Sequence, residues 1–122
     1  MAQILVVDDS STVRNEVGDF LKQNGLSVSF AVDGRDGLAK LKADPAVKLV
    51  VCDVNMPNMD GLTMAEKVRS ELRNSSVNIV MLTTENSPTM KERGKAAGVK
   101  GWIVKPFNGA AVLATFRKLA GA

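Results

Sequence analysis

No histidine occurs anywhere in the 122 residues, and that absence closes off several kinds of chemistry at once. It removes Ser-His-Asp and Cys-His nucleophilic sites, histidine-ligated zinc, and any role as a carrier of phosphohistidine. The single cysteine, Cys52, excludes an internal disulfide and suits a reducing compartment. Lodged in an apolar run, it reads as a small core residue rather than a reactive thiol. Aromatic residues make up only 4% of the chain and no basic run is interleaved with them. A net charge of +3 is therefore a weak hint of an acidic partner, not a nucleic-acid footprint. The longest apolar runs are a few residues, too short to cross a bilayer. The opening MAQILVVDD has neither the basic start nor the apolar stretch of a signal peptide. The expected location is the cytoplasm, with neither nucleic acid nor membrane as partner.

What is present is a rhythm. Apolar residues are 45% of the chain and charged residues 24%, the balance of a globular domain large enough for its own core. Short β-branched runs alternate with helical patterns from end to end. Strands are expected at residues 3–7, 27–32, 48–52, 77–82 and 101–104. The first helix is expected after Ser10 or Ser11 as N-cap, with Val13, Val17, Phe20 and Leu21 on one face and Gly25 at its end. Asp33-Gly34 reads as a plain turn, followed by a helix over 37–43 with Leu38 and Leu41 inward and Asp44-Pro45 as its stop. The third helix starts near Gly61 and spaces Leu62, Ala65, Val68 and Leu72 helically. Ser87-Pro88 opens the fourth, which runs to Gly98. The fifth spans 110–120 and buries Val112, Leu113, Phe116 and Leu119. Five β-α units in succession predict that residues 1–122 form one α/β domain. Its sheet is parallel and doubly wound, with helices on both faces.

In such sheets ligands bind beyond the carboxyl ends of the strands, where strand order reverses. The unusual polar residues all fall there. Asp8-Asp9 follows strand 1, Asp53 follows strand 3, Thr83-Thr84 follows strand 4, and Lys105-Pro106 follows strand 5. If strands 1 and 3 are neighbours, three carboxylates converge, and they repel one another unless something positive intervenes. One candidate is a hard divalent cation such as Mg²⁺, which takes oxygen ligands. The other is the ammonium of Lys105. With the Thr83 hydroxyl added, the set suits phosphoryl transfer, in which charge stabilisation is most of the catalysis. Taken singly, each residue has an ordinary reading as a helix cap, a turn, a strand residue or a surface lysine. Their joint placement at successive strand ends is what argues for chemistry.

The segments LVVDDS, VVCDVNMPNMDG, VMLTTE and GWIVKPF, in this order and spacing, resemble the receiver domains of bacterial two-component response regulators. The resemblance spans essentially the whole chain. It implies a flavodoxin-like fold with five strands in the order 2-1-3-4-5. It implies that Asp53 is the phosphoacceptor, forming an acyl phosphate. Asp8, Asp9, Asp53 and the backbone carbonyl of Asn55 would then hold Mg²⁺. Lys105 would pair with the phosphoryl group, and Thr83 would bond it in the active state. The Lys105–Pro106 peptide is expected to be cis. The implied donor is a histidine kinase, which supplies the phosphohistidine that this chain lacks. The acyl phosphate is then lost by self-catalysed hydrolysis, so the chain is not expected to be a conventional enzyme.

No separate output domain is expected after the last helix. The expectation is therefore a monomer whose phosphorylated face, built from strand 5 and the last two helices, is read by docking. The stretch TTENSPTMKERGKAAGVKGWIVKPFN looks like the single-domain chemotaxis regulators, which bind the flagellar motor switch. Lys91, Arg93, Lys95, Lys100, Arg117 and Lys118 tilt this face basic, which an acidic partner peptide and a solvated surface explain about equally well. A phosphatase is a further candidate partner. Two residues depart from the family pattern. Trp102 stands where Tyr or Phe is usual, and its indole N–H only donates; it either packs an edge strand or moves with Thr83 on phosphorylation. Thr84 replaces a smaller residue and is expected to restrict access to the site. Asn55 and Glu85 occupy flanking positions that tune hydrolysis in the family.

Other functions compete. One is a stand-alone receiver acting as a phosphate sink or on a non-motor target. Another is a phosphatase of the haloacid-dehalogenase type, which needs a second Asp two residues after the nucleophile, where this chain has Asn55. A flavodoxin-like electron carrier is the third, disfavoured because three carboxylates would repel a flavin phosphate.

Overall fold

The computed structural model describes residues 3–121, so Met1, Ala2 and Ala122 of the expected domain lie outside the described residues. Strands β1 (Ile4–Val7) and β3 (Leu49–Cys52) are apolar without interruption, which a strand tolerates only when both its faces are covered. Together with β4 (Asn78–Thr83) they form the middle of the sheet, and β2 (Val28–Ala31) and β5 (Gly101–Val104) flank them. All pairings are parallel and the order is β2-β1-β3-β4-β5, so the direction of winding reverses between β1 and β3. The helices are α1 (Ser11–Gln23), α2 (Gly34–Ala43), α3 (Gly61–Ser70), α4 (Pro88–Ala96) and α5 (Gly109–Leu119).

The twofold alternation of the strands sorts the core into two layers. Leu5, Val7, Val50, Cys52, Ile79 and Met81 face one way and pack with Leu41, Leu62, Met64 and Val68 from α2 and α3. Ile4, Val6, Leu49, Val51, Val80 and Leu82 face the other way, against Val17 and Leu21 of α1 and Phe116 of α5. The doubly wound arrangement expected from the sequence is the one observed. Among the described residues, no helix is long and apolar enough to cross a membrane.

Every helix opens on a polar side chain that accepts a hydrogen bond from the backbone N–H three residues on. Ser10, Asp33, Asp60, Ser87 and Asn108 serve in turn, each cap contributing about 1 kcal/mol. Asp33 corrects one expectation. Asp33-Gly34 is not a plain turn but the start of α2, which begins at Gly34 rather than 37 because the Asp33 carboxylate accepts from Asp36 N–H. Other boundaries shift by a residue or two, where fraying ends are decided by local geometry. β1, β2 and β3 are trimmed at their ends, β4 takes in Thr83, and Leu72 lies beyond α3. α4 stops at Ala96, and Gly98 beyond it takes φ +83. α5 fully buries Phe116, while Val112, Leu113 and Leu119 are only partly covered, since an outermost helix meets the core along one narrow stripe.

One arginine ties several of these pieces together. Arg69, in the last turn of α3, donates to the backbone carbonyls of Asn74, Val77, Ala97 and Gly98 at 2.9–3.2 Å. It thereby joins the end of α3 to the start of β4 and to the end of α4. Burial lowers its guanidinium pKa.

Candidate functional site

β1 and β3 are buried along their whole length, so the residues that leave their carboxyl ends do so from rigid positions. β1 runs into Asp8 and β3 into Asp53, which are 2% and 8% exposed, while Asp9 is open to solvent. One oxygen from each of these three carboxylates lies within 4.8 Å of the others. From the far side of the sheet β5 leads to Lys105, whose ammonium donates to Asp8 Oδ2 at 3.1 Å and to Asp53 Oδ2 at 3.2 Å. The Lys105–Pro106 peptide is cis.

The electrostatics follow from burial and from this crowding. Burial raises the Asp8 pKa; the Ser10 N–H and Lys105 oppose that rise and the nearby Asp53 charge adds to it. For Lys105 burial works against the charged form, but its bonds to Asp8 and Asp53 outweigh it and the pKa rises. Three carboxylates against one ammonium leave the pocket with surplus negative charge. An all-oxygen donor set of this kind fits a hard cation such as Mg²⁺.

Asp53 is held from several sides. Its Oδ1 accepts from Val54 N–H at 2.7 Å, leaving Oδ2 toward Lys105. Behind it the Cys52 thiol donates to the Asp53 carbonyl at 3.1 Å. Burial, and then the neighbouring carboxylates, push that thiol pKa far up, as befits a core residue. The first residue of α3 must be glycine, because a Cβ at Gly61 would lie 2.0 Å from the Asp53 carbonyl oxygen.

A second group of residues meets at Glu85. The fully buried Thr83 accepts from Glu85 N–H through its hydroxyl oxygen at 3.2 Å, which leaves its own proton to donate. The Asn55 amide donates to Glu85 Oε1 at 2.7 Å, bridging the β3–α3 and β4–α4 loops. Trp102 lies half-buried on the edge strand β5 and donates its indole N–H to the Glu85 carbonyl at 2.8 Å. Thr84 is exposed at the rim, where it lines an apolar groove of about 360 Å³ with Val13, Leu82, Lys105 and Phe107.

The structure thus brings Asp8, Asp9, Asp53 and Lys105 into one pocket. It joins Thr83, Asn55 and Trp102 through Glu85, with Thr84 beside them. Sequence reasoning missed Arg14, which donates from α1 to the Asp8 carbonyl at 2.7 Å. A basic residue one turn into the helix that follows Asp8-Asp9 was the available signal. It also missed the contact of Asn58 with Asp33, for which the linear sequence holds none.

Comparison with known proteins gives a consistent answer. The family model of the response regulator receiver domain matches residues 4–117. The chemotaxis protein CheY1 of Helicobacter pylori is 41% identical over 106 residues, covering 86% of each chain. The structure of Vibrio cholerae chemotaxis protein CheY4 superposes with a TM-score of 0.88 at 42% identity, covering 98% of each chain. A chain of the CheX–CheY–BeF₃–Mg²⁺ complex from Borrelia burgdorferi superposes with a TM-score of 0.86 at 26% identity, covering 94% of this chain and 86% of that one.

Proposed function

The chain belongs to the response regulator receiver domain family, and on that premise we propose that Asp53 accepts a phosphoryl group from a histidine kinase in the cytoplasm. The observation that carries this reading is the Lys105 ammonium bonded to both Asp8 and Asp53, with Asp9 beside them. Asp8, Asp9, Asp53 and the Asn55 backbone carbonyl would hold Mg²⁺. When bound, that ion neutralises charge on the phosphoryl oxygens.

In the transfer a carboxylate oxygen of Asp53 attacks phosphorus as the P–N bond of the donor's phosphohistidine breaks. The electron pair leaves with the donor imidazole. Lys105, already in reach of Asp53, pairs with a phosphoryl oxygen. Hydrolysis reverses the gain: water attacks phosphorus, the P–O bond to Asp53 breaks, and inorganic phosphate leaves. While the acyl phosphate persists, the Thr83 hydroxyl donates to it. The Thr83–Glu85 contact then changes, and with it the carbonyl that holds Trp102. The readout is a changed surface on α4, β5 and α5, offered to an acidic partner such as a flagellar motor switch protein. The similarity to chemotaxis proteins supports that output.

The test is uptake of one phosphoryl group from acetyl phosphate with Mg²⁺, read by intact mass. Uptake is expected in the wild type and lost on adding a chelator or in Asp53→Asn. Labelling that persists in Asp53→Asn would overturn the assignment.

A further inference from the structure

We propose that Asp33 and Asn58 are positioning residues. The hydrogen bond between them sets the β3–α3 loop so that the Asn55 carbonyl reaches the acidic pocket. The inference rests on the Mg²⁺ reading above and deepens it. A side-chain ligand can be aimed by its own rotamer, whereas a backbone carbonyl stands only where its loop stands. Whatever fixes the loop therefore fixes the ligand.

Three independent observations locate that fixture at the start of α2. The Asn58 amide donates to Asp33 Oδ2 at 2.8 Å, across 25 residues of sequence. Asn58 itself takes φ 66, a left-handed conformation that Gly and Asn adopt most readily, so the loop's path and the amide that reaches Asp33 call for the same residue. Beside it, Gly34 N–H donates to the Met59 carbonyl at 3.0 Å, and a Cβ at Gly34 would lie 2.6 Å from that same oxygen. The backbones of α2 and the loop are therefore in direct contact.

The anchor is itself tied at both carboxylate oxygens. While Oδ2 of Asp33 holds Asn58, Oδ1 caps α2 by accepting from Asp36 N–H at 2.8 Å. Both bonds favour the ionised carboxylate and lower its pKa, the Asp36 N–H most. Across the loop, Gly61 N–H donates to the Val54 carbonyl and the Asn55 amide reaches Glu85. The segment from Asp53 to Asp60 is thus stretched between β3, α3, α2 and the β4–α4 loop. Of these lateral ties, the one to α2 reaches a buried carboxylate, while the one to Glu85 is exposed.

The experiment titrates Mg²⁺ into the full chain by calorimetry without phosphodonor, alongside thermal unfolding. Asn58→Gly keeps the left-handed backbone but deletes the amide. The exchange Asp33→Asn with Asn58→Asp reverses donor and acceptor, keeps net charge, and leaves a competent N-cap. Asn58→Gly is expected to raise the Mg²⁺ Kd about tenfold, as loss of an outer support does. Saturating Mg²⁺ should return its phosphorylation rate to near wild type, because Asp53 and Lys105 are untouched. The exchange should restore the wild-type Kd. If Asn58→Gly lowers Tm but leaves Kd unchanged, or if the exchange fails to restore Kd, the inference is wrong. If the wild type does not bind Mg²⁺, the metal reading fails first and takes this inference with it.

Discussion

Helices α3 and α4 pack side by side on the same layer of the core, and they are held there by different means. Of the ten residues of α3, five are buried: Gly61, Leu62, Met64, Ala65 and Val68. Of the nine residues of α4, only Gly94 is buried. α3 begins with its first glycine pressed on the carbonyl of Asp53, so any shift of α3 drags Asp53 with it. Apart from Gly94 against the Trp102 ring, α4 is held along its length by contacts that solvent reaches: Arg93 to Glu66 and Thr63, and the half-buried Met90. An element with little buried apolar area costs little to displace. The first helix is therefore the rigid one beside Asp53, and the second is the one that moves at lower cost.

Matched substitutions in the two helices sharpen that contrast. The largest gap is expected between two methionines. Met64→Ala in α3 should lower stability to urea by about 3 kcal/mol, while Met90→Ala in α4 should cost about 1 kcal/mol, because only the former leaves a closed cavity. Equal losses would mean that α4 is as firmly seated as α3.

The glycines come next. Gly61→Ala meets backbone at 2.0 Å and should cost about 2 kcal/mol, with phosphoryl uptake lost as Asp53 is displaced. In Gly94→Ala the new methyl comes within 3.2 Å of the Trp102 ring. Its strain is offset by a gain in helix propensity of about 1 kcal/mol, so stability should hardly change. What should change is emission from Trp102, the only tryptophan.

The smallest effect belongs to the contact that joins the helices. Arg93 donates to Glu66 at 2.8 Å, and its hydrogen bond holds the Glu66 pKa below the ordinary 4.5. The pair is exposed, so Glu66→Gln should cost under about 1 kcal/mol at neutral pH and less in high salt. A depressed folded-state pKa means that this contribution is present above pH 4.5 and fades as pH falls through the lower folded value. Urea midpoints of wild type and Glu66→Gln should therefore converge in acid. A difference that persists there would show that the contact does not depend on charge.

The contrast also separates what was legible in the sequence from what was not. Strand positions were legible because Ile4–Val7 and Leu49–Cys52 are apolar on both faces, a pattern that only an inner parallel strand explains. Ser87-Pro88 and Ser10 announced their helices because capping is local chemistry. The acidic pocket was legible because parallel strands carry their carboxyl ends to one edge, so Asp8, Asp53 and Lys105 could be placed together without coordinates. What escaped was every interaction with a backbone acceptor or a distant loop. Trp102 bonds a carbonyl of Glu85, Arg14 that of Asp8, and Arg69 those of four residues. A carbonyl belongs to every residue alike and leaves no mark in the sequence. Asn58 and Asp33 are polar residues of ordinary loops until folding brings them together.

The arginine clamp on Ala97 and Gly98 gives α4 unequal ends. Its carboxyl end is bolted through Arg69 to α3 and β4, while its amino end follows the loop after Thr83 that carries Glu85. A tilt of α4 would turn about its tail, the end those bonds hold. With nine residues at a rise of about 1.5 Å each, the arm is about 13 Å long, and a tilt of about 10° sweeps its tip by about 2 Å. A small shift of the loop at its amino end would thus move the exposed tip of α4 far more than its tail.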